Sequence, residues 1–338
     1  MSAPGAAAGS SCNAKETRSA SIPAHWLDKP YYSLDAYCKH NLGHKCYKIA
    51  LDAHMTCPNR DGTLDSRGCI FCSAGGSGDF AVSTRHKTID RQLQEGLALF
   101  HAKKAGSHFI AYFQAYTNTY APVSYLRQVY TQALDHPDIS GISIATRPDC
   151  LPEEVLTLLA ELRSSYPNKF IWVELGLQTM HERSAALIRR GYPLSCFMES
   201  FQKLSSLSIP VIVHVILGLP GETRENMYET IQFLNGCNPF GIKLQLLHVL
   251  EGTDLADLYL NNGFQTLSKE EYLDILIHCL ELLHPDIVIH RVTGDGPKEI
   301  TLAPLWSLNK RDVLNSLHKQ MRLEGAFQGR LAEQSIGR

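Results

Sequence analysis

No apolar run in this sequence approaches the roughly 20 residues needed to cross a bilayer, so it offers no candidate membrane span. No charge sign dominates either: 32 Lys and Arg stand against 34 Asp and Glu, a formal net charge of −2. That balance excludes the globally basic surface of a general nucleic-acid or membrane-surface binder. The stretch from Met1 to Ser21 is rich in Ala, Gly and Ser, but it lacks the basic start and long apolar core of a secretory signal. It is expected to be disordered, within a tail spanning residues 1–25. The cysteines do not form a disulfide framework. There are ten, and outside one cluster they are scattered singly in apolar segments such as Ile277-His278-Cys279-Leu280. Isolated buried thiols suit a reducing compartment, so a cytoplasmic location is expected. No second Cys-x-x-Cys is present.

What is present is enough apolar material for a large core: 338 residues, 44% hydrophobic and 20% charged. From Tyr47 onward, short apolar runs alternate with helical patterns, which argues for βα units and a parallel sheet. The strand candidates are Tyr47–Leu51, Phe109–Gln114, Gly141–Ala145, Phe170–Leu175, Val211–Leu217 and Ile242–Leu247. Val211 to Leu217 is nearly continuous in apolar residues, as a strand covered on both faces should be. Helical patterns lie between them over Thr88–Lys104, Leu151–Ser164, Pro193–Leu207 and Thr223–Leu234. Six such units point to an α/β fold, a partial (β/α)6 TIM-like barrel over residues 30–255, with chemistry at the C-terminal ends of the strands. A C-terminal α/β extension over 256–322 would hold a helix at Ser268–Leu283, capped by Ser268 and Glu271. A further short strand at Ile287–Arg291 and a helix at Lys310–Arg322 would follow. Residues 323–338 read as a loose tail.

The strongest local signal is Cys57-Pro58-Asn59-Arg60-Asp61-Gly62 followed by Gly68-Cys69-Ile70-Phe71-Cys72, directly after the first strand. Eleven residues separate Cys57 from Cys69, and two separate Cys69 from Cys72. Thiolates at a two-residue spacing can chelate one centre from a tight turn. A structural zinc site needs a fourth ligand, from His54, His86 or a distant Cys. A redox pair would leave Cys57 unexplained. An iron–sulfur cluster held by three thiolates keeps one iron open to a small molecule.

At this point the sequence resembles a known group. A three-cysteine loop after the first strand of a six-unit βα barrel is similar to that of the radical SAM superfamily. The long first gap resembles the branch containing the radical domain of elongator-type tRNA-modifying enzymes. CPNRDG…GCIFC resembles the bacterial family named after YhcC. So do YFQAYTNTYAP (Tyr112–Pro122), ATRPDCL (Ala145–Leu151), ELGLQT (Glu174–Thr179), HVILGLPGET (His214–Thr223) and RVTGDGPK…LAPLWSLNK (Arg291–Lys310). The resemblance implies that Cys57, Cys69 and Cys72 bind three irons of a 4Fe–4S cluster and that S-adenosylmethionine chelates the fourth. One electron, supplied by an external flavodoxin- or ferredoxin-type donor, would then release a 5′-deoxyadenosyl radical.

The segments after each strand supply candidates for the cofactor site. Gln114, Thr117 and Asn118 form a polar loop after the second strand, where many radical SAM enzymes carry a Gly-Gly-Glu element that this chain lacks. The alternative is a loop that caps a helix. Arg147 beside Asp149 ends the third strand, either near an anion or as a structural pair. Glu174 and Gln178 flank the end of the fourth; Glu174 is expected at the mouth, accepting hydrogen bonds, with a buried salt bridge as the alternative. His214 lies within the fifth strand, and Gly218 opens a turn where backbone could approach a ligand. Lys243, Gln245 and His248 are candidates for a substrate face on the sixth strand, with Asp295 and Lys298 closing over it. The basic pairs Lys103-Lys104, Arg189-Arg190 and Lys310-Arg311 read as solvated helix faces. For the substrate, the wider resemblance makes tRNA, modified at its wobble uridine, the first expectation. A small molecule or protein substrate is the alternative, as is a non-catalytic iron–sulfur or zinc module.

Overall fold

The structure is a computed structural model that describes residues 22–76, 87–102, 106–294 and 296–332. Among the described residues nine strands form in chain order. They are β1 (Tyr47–Leu51), β2 (Phe109–Phe113), β3 (Ile139–Thr146), β4 (Phe170–Gln178), β5 (Val211–Leu217), β6 (Gly241–Leu246), β7 (Val249–Leu250), β8 (Val288–Arg291) and β9 (Thr301–Ala303). Seven make one sheet in the order β1-β2-β3-β4-β5-β6-β8, every neighbouring pair parallel. β7 and β9 pair antiparallel as a separate ribbon.

Parallel neighbours require crossovers, and helices supply them. α1 (Leu34–Tyr37) precedes the sheet. The connections then carry α2 (Ile89–Ala102), α3 (Val123–Asp135), α4 (Glu153–Ser165), α5 (Glu182–Leu187), α6 (Leu194–Ser206) and α7 (Arg224–Cys237). α8 (Asp254–Leu260) and α9 (Lys269–Leu282) lead to β8, and α10 (Lys310–Glu324) follows the ribbon. The amphipathic spacing seen in sequence is what packs: Ile89, Leu93 and Leu97 of α2 are buried in the main core. Gly96 lets α2 sit close on β1, since a Cβ there would meet Ile49 at 2.5 Å. The expected cap at Ser268 forms, and Thr223 caps α7 in the same way. Thr223 and Ser268 each accept a hydrogen bond from the backbone N–H three residues on, completed as capping boxes by Asn226 and Glu271.

The expected partial barrel forms, and the short strand expected in the C-terminal extension, β8, pairs with β6 as the seventh of the sheet. One expectation is corrected. Beyond Gly325 a loose tail was expected, yet Ala326 and Gln328 are buried. Gln328 donates to the carbonyls of His284 and Ile287, accepts from the Tyr32 N–H at 2.9 Å, and its own N–H reaches Pro30. A polar side chain able to satisfy several buried backbone groups anchors a segment whose composition reads as weak. The tail expected at residues 1–25 lies mostly outside the described residues.

Alternation along the strands layers the barrel lumen. Ile110, Trp172 and Ile212 form an apolar bottom layer with Phe170 and Phe240. The Phe170 and Trp172 rings stack at 3.9 Å. Tyr37 of the N-terminal segment lies edge-on to Phe240 at 4.9 Å and to Trp172 at 6.1 Å, adding a cap beneath them. Ser33 bridges Ile289, extending the sheet past β8. Above this plug the inward positions turn polar, and above those lie the loops at the strands' C-terminal ends.

Candidate active site

Cys57, Cys69 and Cys72 all line one cavity of about 250 Å3 at the C-terminal ends of the strands. Their loop is folded by its own backbone. The N–H groups of Arg60 and Asp61 donate to the Cys57 carbonyl, Cys72 N–H donates to Cys69, and Gly68 N–H donates to Asn59. Gly68 has φ +79°, and a Cβ there would meet the Arg60 guanidinium at 2.9 Å. That guanidinium donates to the carbonyls of Cys72 and Ser73 at 2.7 and 2.6 Å, closing the loop onto itself.

A second element clamps the loop to the barrel: the segment Arg189-Arg190-Gly191-Tyr192, after α5. The buried Asn59 amide donates to the carbonyls of Arg189 and Arg190. Gly191, with φ +84°, leaves room for the Asn59 amide oxygen 2.6 Å from where a Cβ would stand. Arg190 corrects the sequence reading of a solvated face. It is 1% exposed, and its guanidinium donates to the carbonyls of Leu177, Thr179 and Tyr192. It satisfies the backbone where β4 ends, and nothing in the spacing of a basic pair distinguishes that role from solvation. Arg147 forms the expected bidentate pair with Asp149 at 2.9 and 2.7 Å, while donating to the Arg190 carbonyl and lying over the Tyr192 ring. It also lines the cavity.

The other candidates divide. Gln114, Thr117, Glu174, Gln178, His214, Lys243, Gln245 and His248 line the same cavity. Gln178 sits there at φ +66°, with its amide oxygen buried and unpartnered. Asn118 does not line it. Its amide donates to the carbonyls of Phe113 and Ala145, stapling β2 to β3. Gly218 does not line it either; it packs on Leu267, and its N–H faces the Met227 sulfur. Lys298 is exposed and away from the cavity wall, whereas its neighbours Gly296 and Pro297 line it. Asp295 lies outside the described residues. His248 follows β6 rather than continuing its face, and contacts the Ser307 hydroxyl at 3.1 Å.

Glu174 was expected at the mouth; the structure places it on the floor, fully buried. One carboxylate oxygen accepts from Lys48 at 3.0 Å and Ser143 at 2.6 Å. The other lies against His214 at 2.6 Å and also accepts from Lys243. Lys243 further donates to the Tyr112 hydroxyl at 2.9 Å. Burial opposes ionisation of Glu174, but Lys243, Lys48 and His214 outweigh it and hold the carboxyl well below its usual range. Burial, with the Lys243 charge beside it, pushes the His214 imidazole down to about 4, so it is neutral at pH 7. With these four partners, Glu174 takes the buried, salt-bridged alternative. Sequence reasoning missed Lys48 and Tyr112, although an inward lysine in β1 carries the same alternation signal as Lys243 in β6.

Residues 66–234 match the Radical SAM superfamily, and residues 239–322 match the Radical_SAM C-terminal domain. The chain is 44% identical over 318 residues to the uncharacterized protein YtqA of Bacillus subtilis, covering 93% of this chain and 98% of that one. The chain belongs to the radical SAM superfamily. It is also 33% identical to Escherichia coli YhcC, covering 84% of this chain and 89% of that protein. In fold it is similar to the archaeal Elp3 of Methanocaldococcus infernus with an N-terminal deletion, at a TM-score of 0.63 and 15% identity. That match covers 84% of this chain and 64% of the other.

Radical SAM proteins use a 4Fe–4S cluster and S-adenosylmethionine. The donor set of this member fits the cluster. Three thiols face one cavity, and a cluster asks only that each thiolate meet its own iron. His86, named as a further candidate ligand, lies outside the described residues. Burial pushes the Cys69 thiol up to about 12, so a cluster held there would displace its proton. No helix among the described residues is long and apolar enough to cross a membrane.

Proposed function

We propose that this protein is a radical SAM enzyme whose 4Fe–4S cluster, held by Cys57, Cys69 and Cys72, cleaves S-adenosylmethionine reductively to a 5′-deoxyadenosyl radical that abstracts hydrogen from a substrate. The observation that carries this is the convergence of three cysteines on the cavity at the C-terminal ends of a parallel half-barrel. The protein's own part is to hold and shield. The Asn59–Arg190 clamp fixes the cysteine loop. Arg147, Gln178, Gln114 and Thr117 are the polar groups of the wall offered to the cofactor. The electron comes from an external one-electron donor of flavodoxin or ferredoxin type. The likeness to the elongator-type enzymes supports tRNA, modified at the wobble uridine, as the first substrate to examine, in the cytoplasm.

Anaerobic reconstitution should load about four irons per chain, and dithionite with S-adenosylmethionine should yield 5′-deoxyadenosine. Cys57→Ala should abolish both, while the buried Cys150→Ala should leave both intact. Tightly bound zinc in place of iron, or no 5′-deoxyadenosine from a fully loaded cluster, would overturn the reading. Nucleoside mass spectrometry of tRNA from a deletion strain tests the substrate, and an unchanged profile would remove tRNA from it.

A further inference from the structure

One titratable group of the cavity has no part in holding the cluster or S-adenosylmethionine: the Lys243 amine. It stands on β6, 3% exposed, and lines the cavity. The groups that face it are Lys48 from β1, Tyr112 from β2, Glu174 from β4, His214 from β5, and Arg291 and His290 from β8. Lys48 and Lys243 converge on the single carboxylate of Glu174. One carboxylate balances one ammonium. A second lysine sealed from water sheds its proton rather than carry an unbalanced charge. Lys48 keeps 22% of its side chain exposed and does not line the cavity, so the sealed amine is that of Lys243. Burial draws this amine well below its ordinary range, aided by Lys48 and Arg291 and opposed by Glu174. A desolvated amine beside a second cation is a nucleophile at neutral pH. The Tyr112 hydroxyl stands 2.9 Å from the nitrogen, and burial with Glu174 nearby keeps that phenol protonated.

We propose that Lys243 is a covalent capture site, its amine condensing with an aldehyde or ketone group to form an imine while the Tyr112 hydroxyl relays the proton. The inference rests on the radical reading of the chain and adds the class of one molecule that the radical meets, a carbonyl compound. The nitrogen lone pair forms the C–N bond and the C–O bond breaks. Both amine protons leave with the oxygen as water, so no oxidant or reductant enters. Tyr112 accepts an N–H and donates its own O–H to the carbonyl oxygen. The imine then fixes the captured molecule on the floor of the cavity, and its C=N bond delocalises a carbon radical formed beside it.

The test is reductive trapping. The cluster-loaded full chain is incubated anaerobically near neutral pH with acetaldehyde or, separately, acetone, each with cyanoborohydride, and peptide mass spectrometry locates the labelled lysines. Lys243 should be labelled at least about tenfold faster than the exposed Lys319, because each unit by which a pKa falls raises the free amine tenfold. Tyr112→Phe keeps the ring that both lysines lie over and removes the relay. It should slow labelling of Lys243 by at least about tenfold and leave Lys319 unchanged; the thermal transition checks that the variant is folded. Should it unfold, the comparison of Lys243 with Lys319 in the unaltered chain still decides. Labelling of Lys243 no faster than that of Lys319, or confined to exposed lysines, would overturn the capture site. An unchanged rate in folded Tyr112→Phe would overturn the relay. Formation of 5′-deoxyadenosine by the same loaded sample separates the two readings. Its presence without labelling of Lys243 sinks the capture site alone, and its absence with Lys243 labelled sinks the radical reading alone.

Discussion

At the scale of single residues, the side chains that matter most for holding the site together are polar ones that burial makes obligatory. Arg190 satisfies two carbonyls where β4 ends and that of Tyr192 in its own turn. Arg190→Ala should cost about 3 kcal/mol or more, read by urea unfolding, since each orphaned carbonyl forfeits its partner in a dry site. Arg190→Lys should recover little, because an ammonium cannot present a planar fork. His214 gives a pH signature. Its imidazole is held at about 4, below its usual 6.5, so between those values the unfolded chain binds a proton that the folded chain refuses. Stability should therefore be flat above pH 6.5 and fall as pH drops toward 4. The Glu174 contribution is lost in the same direction at lower pH. His214→Gln should make the decline between pH 6.5 and 4 shallower, and an unchanged slope would refute the assignment. That the three cysteines form one group was legible from their spacing, a local property, and they do line one cavity; spacing left the nature of the bound centre open, and the resemblance supplied the cluster. Arg190, Lys48 and Tyr112 were not read, because their roles exist only once β1, β2, β4 and β6 lie side by side.

At the scale of elements, periodicity carried the reading well. β1 and β5 span the residues their apolar runs indicate, and the boxes at Thr223 and Ser268 cap α7 and α9. β4 runs three residues beyond its apolar run, to Gln178. There Arg190 and Tyr192 satisfy carbonyls of Gly176, Leu177 and Thr179, and such long-range partners leave no local mark. The turn at Gly191 is the element on which the cysteine loop depends. Gly191→Ala would place a methyl against the Asn59 amide oxygen in a backbone conformation that favours glycine. Reduced iron content after reconstitution is expected, with the thermal transition lowered by a few degrees. Full iron loading in this variant would show that the clamp does not position the loop.

At the scale of the whole molecule, the boundaries of the family match and of the fold differ. The superfamily match begins at residue 66, after β1 and after Cys57. The C-terminal match contributes β8, the seventh strand of the same sheet. Sequence composition placed that extension in a separate region, because a four-residue strand after a long helix gives little periodic signal. A chain ending at residue 255 would expose the β6 edge that β8 covers and remove Gln328, the tie to Tyr32. It should be recovered as an aggregate or an unfolded species, judged by circular dichroism and size-exclusion chromatography. A well-folded monomer would refute the dependence.

The Gln328 tie has one more consequence. Its carboxamide holds the backbone before α1 and the backbone before β8 at the same time, so the two ends of the described chain meet beneath the barrel, far from the cysteine rim. One carboxamide therefore couples the two segments mechanically: a change that loosens one hands the other an unsatisfied backbone partner, so the base of the barrel holds or yields as a single joint.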